Sequence, residues 1–182
     1  MGAWFTADLH FGHKAVLHYS NRPYADLDEM KMMITSTWNR HIRPHDDVYV
    51  LGDFSFERKE IAQETFKALN GRKHLIIGNH DGDHIRKLPW ETVSQIKTFR
   101  GEGYRIVLCH YPMLTWDRAH HGVWHLHGHS HGNLKWLGSR TTRMDVGIDC
   151  HPEHRPFSLS EVAISMEQRK YAPVDHHVED HT

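Results

Sequence analysis

Residues Lys73–Asp81 read KHLIIGNHD. An apolar run of strand length is cut by a glycine and followed at once by an amide, an imidazole and a carboxylate. The same grammar recurs along the chain. AWFTA, Ala3–Ala7, is a short apolar strand ending at Asp8, with His10 two residues on. Residues spaced by two at a strand end point to one side. In DVYVLGD the strand Val48–Leu51 ends at Gly52 and Asp53, and in YRIVLCHYP a buried run ends directly at His110. VWHLHG, RMDVGID and ETVSQIKTF supply further strands, the last paired with YRIVLCHYP across the turn at Gly101–Gly103. Helical spacing separates the early strands: Leu27, Met30, Ile34 and Trp38 within Asp26–Ile42, closed by Pro44, then Ile61, Phe66 and Leu69 within Glu57–Leu69, stopped by Asn70-Gly71. SLSEVAISMEQ, Ser158–Gln168, mixes helix and strand formers and reads either way. The alternation predicts an α/β fold. Its sites form at the carboxyl ends of strands, so Asp8, Asp53, Asn79 and His110 are expected at one edge of a sheet.

The composition narrows what such an edge does. The chain has 182 residues and a net charge of −1, with 20 histidines as the outlier. Balanced charge lacks the basic face that unspecific nucleic-acid binding needs; a nuclease reading would have to draw on a local strip around Arg86, Lys87, Lys97 and Arg100. Cys109 and Cys150 stand alone, so no disulfide framework is expected and a reducing compartment fits. No apolar run approaches a membrane span and the start shows no leader, so the cytoplasm is the expected location. There is no repeat or linker. One domain over residues 1–172 is expected, with a polar tail at 173–182 that carries no assigned role.

Clustered imidazoles raise the expectation of a transition-metal site. HLHGHSHG, His125–Gly132, puts four histidines into seven residues, the first two at strand period and the last two on a glycine-led turn. For His125 and His127, ordinary strand residues hydrogen-bonded within the fold is the preferred reading over orienting ligands or touching substrate. Taken together, Asp8/His10, Gly52-Asp53, Gly78-Asn79-His80-Asp81, His110 and Gly128-His129-Ser130-His131 resemble the fingerprint of the calcineurin-like metallophosphoesterases. The segment DLHFGH followed by NRPY resembles a small bacterial or phage-type branch.

The resemblance implies a four-layer α/β/β/α sandwich of two mixed sheets and two divalent transition-metal ions, manganese first, with iron, zinc or nickel as alternatives. It places Asp8, His10 and His131 on one ion, Asn79, His110 and His129 on the other, and Asp53 between them. An anionic bridge offsets the repulsion of two nearby cations. The expected reaction is in-line attack on phosphorus by hydroxide held between the ions, with His80 as general acid to the leaving group. Asp81 is expected either to hold the other nitrogen of His80 or to cap the helix that follows. Arg22 is a candidate phosphate contact because a guanidinium matches phosphate in fork fashion, and His13 a candidate for a substrate oxygen. Tyr111 and Trp116 are read as core before they are read as stacking partners. The expected substrate is a small phosphate ester or nucleotide, diesters ahead of monoesters. The other readings are a phosphomonoesterase or nucleotide pyrophosphatase, a nuclease, and a non-catalytic scaffold.

Overall fold

The computed structural model describes residues 1–134 and 141–169, so the expected tail at 173–182 lies outside the described residues. Its elements in chain order are β1 (Ala3–Thr6), α1 (Val16–Tyr19), α2 (Leu27–His41), β2 (Asp47–Val50), α3 (Lys59–Ala68), β3 (Arg72–Ile76), α4 (Asp83–Arg86), β4 (Thr92–Ser94), β5 (Ile96–Gly101), β6 (Tyr104–Cys109), β7 (Trp124–His127), β8 (Arg143–Asp145), β9 (Phe157–Ser158) and α5 (Leu159–Glu167). They form an α/β fold with two mixed sheets, ordered β4-β3-β2-β1-β9 and β5-β6-β7-β8. In the first sheet only β9 runs antiparallel to its neighbour, and in the second only the β5–β6 pair is antiparallel. Among the described residues, no helix is long and apolar enough to cross a membrane.

Side-chain caps open two of the helices, α2 and α5. Asp26 caps α2 by accepting from the Glu29 amide at 2.9 Å, and Met30, Ile34 and Trp38 repeat every four residues to give one fully buried stripe. That stripe packs with Val48, Val50 and Leu75 on one face of the first sheet. Helix α3 departs from expectation. It starts at Lys59, and its buried face is Ala62, Thr65 and Phe66, which leaves Ile61 45% exposed. The ambiguous segment at Ser158 becomes the end of β9 and then α5, because Ser158 and Glu161 close a capping box.

The other face of the first sheet contributes Phe5, Tyr49, Leu51 and Ile76 to a core shared with Phe99, Ile106, Leu108 and Leu126 of the second sheet. The stretch ETVSQIKTF is not one strand. It divides at Gln95, with β4 pairing parallel to β3 and β5 pairing antiparallel to β6. Alternation runs through the crossing without a turn residue, so periodicity alone hides the change of sheet. On the far side of the second sheet, Val107 is covered by Trp116, Ala119 and Val123 from the loop before β7. Ala119–His121 within that segment form a short 3-10 helix.

Register brings the strand ends together. Thr6 lies opposite Val50, and Val50 opposite Leu75. Beyond the strands the pairing continues, with the Asp8 amide donating to Gly52 O and the His10 amide to Asp53 O, both at 3.0 Å. Three carboxyl ends therefore finish at one level, where α/β sheets place their sites.

Candidate metal centre

The turns after β1, β2 and β7 are bent by side-chain-bearing residues in the left-handed region. Asp8, His10, Asp53, His129 and His131 have φ of 56°, 52°, 57°, 67° and 45°. A non-glycine residue there costs about 1 kcal/mol or more, and such strain clusters at functional sites. Glycines supply the room. At Gly52, φ 89°, a Cβ would stand 2.6 Å from Gly78 Cα, and at Gly78 it would stand 2.6 Å from the Asp53 amide nitrogen. The β2 and β3 turns are pressed backbone to backbone, and neither position accepts a side chain.

This packing gathers seven sequence-predicted residues. Asp53 Oδ2 lies 3.7 Å from His10 Nε2 and 3.6 Å from His110 Nε2. Asn79 Oδ1 is 2.9 Å from His110 Nε2 and 3.1 Å from His129 Nδ1. The His10 and His131 rings stack with centroids 5.2 Å apart. Two groups offer ligand atoms all within 4.8 Å of one another: Asp8, His10 and His131, and Asp8, Asp53 and His110. The residues fit a cation. Asp8 Oδ1 and both ring nitrogens of His10 are buried without a hydrogen-bond partner, which costs about 1–3 kcal/mol per group. Burial, then the Asp145 and Asp53 carboxylates, push the Asp8 carboxyl well above its ordinary range, against one hydrogen bond from the His129 amide. Burial, then the His131 ring, hold His10 at about 2, so this imidazole is neutral and ready to ligate.

The ligand rings are oriented from behind. His110 Nδ1 donates to Leu51 O at 2.7 Å, which leaves Nε2 to face the site. His131 Nδ1 donates to Asp149 Oδ2 at 2.7 Å. Asp145 ties down the turn that carries His129 and His131, accepting from Ser130 Oγ at 3.0 Å and from the Gly132 and Gly147 amides at 2.9 and 2.8 Å. Asp145 and Asp149 sit in RMDVGID, read above only as a strand. Their signal was the grammar seen elsewhere, a strand end followed by glycine and carboxylate.

Two expectations are corrected. Arg22 does not face a substrate. Its side chain is fully buried, with Nε donating to Asp149 Oδ1 at 2.7 Å and the fork donating to Leu9 O at 2.8 Å and Asp8 O at 2.6 Å. Asp81 neither holds His80 nor caps α4, whose N-cap is Gly82. Its buried carboxylate accepts from the Gly78, Asp53 and Phe54 amides at 2.8, 3.0 and 3.0 Å, so it ties the β2 turn to the β3 turn. In both cases satisfying buried backbone groups outweighs a role at the surface.

His80 is exposed, with its amide on Asp53 Oδ1 at 2.9 Å and its ring 4.9 Å from that of Phe56. His13 stacks on the same Phe56 at 4.2 Å, and its Nδ1 is buried without a partner. Phe56, 41% exposed, escaped the sequence reading because nothing local sets one loop phenylalanine apart. Tyr111 is 46% exposed and meets His129 edge-on at 4.9 Å, so it is not core, whereas Trp116 is buried.

His125 is a fold residue. Its Nδ1 donates to Val107 O at 3.0 Å and its Nε2 accepts from the Met113 amide at 3.2 Å. His127 is also buried, with Nδ1 donating to Gly128 O at 2.9 Å. Burial lowers His125 to about 4 despite its bond to Val107 O. A depressed folded value means the stability is complete above about pH 6.5 and is lost as pH falls from there towards about 4, at up to ~1.4 kcal/mol per pH unit. Chelated wild type is expected to lose its urea-stability advantage over His125→Gln by about 2 kcal/mol between about pH 7 and pH 5. A gap independent of pH would show that His125 titrates normally.

No family model matches the chain. It is 28% identical over 175 residues to the uncharacterized protein MJ1445 of Methanocaldococcus jannaschii, covering 92% of each chain. It is 27% identical over 176 residues to the gene 66 protein of Mycobacterium phage D29, covering 80% of this chain and 87% of the phage protein. The crystal structure of the Aquifex aeolicus protein of unknown function AQ665 superposes with a TM-score of 0.72 at 25% identity, covering 90% of this chain and 98% of AQ665, so the two share a fold. A more distant likeness, TM-score 0.45 at 14% identity over 81% of this chain and 79% of the other, is to Yfce, a phosphoesterase from E. coli.

Proposed function

We propose that this chain is a calcineurin-like metallophosphoesterase, a dinuclear-metal-dependent hydrolase of phosphate esters with a preference for diesters. One observation carries the reading. A single carboxylate oxygen, Asp53 Oδ2, lies within 3.7 Å of the Nε2 atoms of His10 and His110, one from each half of the ligand set. That is the place of a bridging ligand. Asp8, His10 and His131 would hold one ion, Asn79, His110 and His129 the other, with manganese the first candidate for both. When bound, the ions supply Lewis acidity towards the phosphoryl oxygens and an acidified water at neutral pH.

The chain's own groups do the rest. His80 reaches the rim from the Asn79 turn and gives its proton to the leaving oxygen. The exposed rings of Phe56 and Tyr111 stand beside opposite halves of the ligand set, next to His10 and His129, and wall the organic part of the ester. His13, stacked on Phe56, is the candidate for a substrate oxygen. With Arg22 committed to the scaffold, that guanidinium does not grip a dianion, and the single negative charge of a diester is favoured. Residues 1–172 act as one domain in this reading. A cytoplasmic setting agrees with two unpaired cysteines, Cys109 and Cys150.

The test is side-by-side hydrolysis of bis- and mono-nitrophenyl phosphate by chelated protein reloaded with Mn²⁺. Diester hydrolysis ahead of monoester, lost on chelation and restored by Mn²⁺, is expected. Faster monoester turnover reverses the preference, and no turnover of either ester by protein shown to hold its ions removes the enzyme reading.

A further inference from the structure

The two halves of the ligand set are supported by unlike groups. Behind His110 stands a neutral backbone carbonyl, Leu51 O. Its neighbour Asn79 is a neutral amide. Behind His131 stands a carboxylate. Asp149 Oδ2 accepts a hydrogen bond from His131 Nδ1 at 2.7 Å and another from Arg22 Nη2 at 3.0 Å, while Oδ1 accepts from Arg22 Nε at 2.7 Å. The same guanidinium reaches the carbonyls of Asp8 and Leu9, inside the turn that presents Asp8 and His10. Ser20 Oγ stands 3.1 Å from His131 Nδ1, a second polar partner on the same nitrogen. One buried fork therefore ties the backbone of Asp8 and of Leu9, the residue before His10, to the carboxylate that backs His131.

We propose that Asp149, clamped by Arg22, is a positioning residue that fixes the tautomer and aim of His131 and makes the Asp8/His10/His131 half the tighter of two unequal cation pockets. A carboxylate behind a ligating imidazole leaves Nε2 as the unprotonated ligand atom and raises its basicity, and losing such a partner typically weakens metal affinity 10–100-fold. Arg22 offsets the Asp149 charge, so the effect works through orientation and proton placement rather than net charge. The inference rests on the two-ion reading above and adds an order of filling that the reading does not require.

The experiment is calorimetric titration of chelated full-length protein with Mn²⁺ alone at fixed pH. Wild type is expected to show two steps. His131→Ala removes the ligand itself and identifies the step that belongs to its pocket. Asp149→Asn is expected to weaken that same step, the tighter one, by about 10–100-fold, and to move the other by less than about threefold. Asp149→Asn leaves Arg22 buried without its counter-charge and risks misfolding. The pair Arg22→Met with Asp149→Asn removes both charges and is expected to give the same selective loss. Equal weakening of both steps, no change in either, or assignment of His131 to the weaker step overturns the inference while the two-ion reading stands. Wild type that takes up no Mn²⁺ overturns both.

Discussion

Asp53→Ala is expected to lose both ions and the activity together, with turnover of a nitrophenyl diester falling by roughly 10³-fold or more. The magnitude follows from the position of the carboxylate. Asp53 is 2% exposed, and its Oδ2 faces imidazoles from both halves while Oδ1 holds the His80 amide at 2.9 Å. Two cations held in adjoining pockets would repel strongly without an anion between them, so the variant gives up more than one coordination bond. Misfolding is separable from loss of the site. The Asp53 charge helps to push the Asp8 carboxyl upward, so its removal relieves a repulsion in the metal-free protein. Chelated Asp53→Ala is therefore expected to be as stable in urea as chelated wild type, or more so, while wild type alone gains stability on adding Mn²⁺. Metal analysis showing a full pair of ions in the variant would remove Asp53 from the bridging position.

How much of this was legible from residues alone can be followed element by element. The strands β1, β2 and β3 and the helix α2 were readable because local signals agree, with apolar runs for the strands and helical spacing closed by Pro44 for the helix. The gathering of the candidate ligands was readable for the same reason. These residues sit immediately after strands, and parallel register carries them to one level. What was hidden depends on partners distant in sequence. Arg22 and Asp149 are 127 residues apart, so nothing near NRPY announces that the guanidinium turns inward. Asp81 read equally as a partner of His80 and as a cap for the helix that follows, but the close approach of the β2 and β3 turns leaves three amides to satisfy, and its carboxylate accepts from all three. The division of ETVSQIKTF at Gln95 was invisible because both halves keep the same period of two, and the choice of sheet is made by the pairing partners β3 and β6.

His80→Ala is expected to keep both ions and to lower kcat by about 10²–10⁴-fold, with the larger losses on esters whose leaving groups are poor. The ion half of this expectation follows from what the side chain touches. His80 is bound to the site through its backbone amide on Asp53 Oδ1, a bond that alanine preserves. Its ring stands outside the clustered ligand atoms, 5.8 Å from that of His10 and 4.9 Å from that of Phe56. With Asp81 turned inward, those two rings define where the imidazole points. The rate half follows from the leaving oxygen. A nitrophenolate departs with little help, whereas an alkoxide must take up a proton as the ester bond breaks, so removing the donor steepens the dependence of rate on leaving-group pKa. A series of diesters spanning that pKa, compared in wild type and variant at matched Mn²⁺ content, reads the slope directly. Parallel lines would mean that His80 shapes the pocket without passing a proton. A variant stripped of its ions would mean that the ring supports the ligand set itself, and the acid would then have to be sought at His13, whose ring stacks on Phe56 at 4.2 Å and lies 5.5 Å from that of His10.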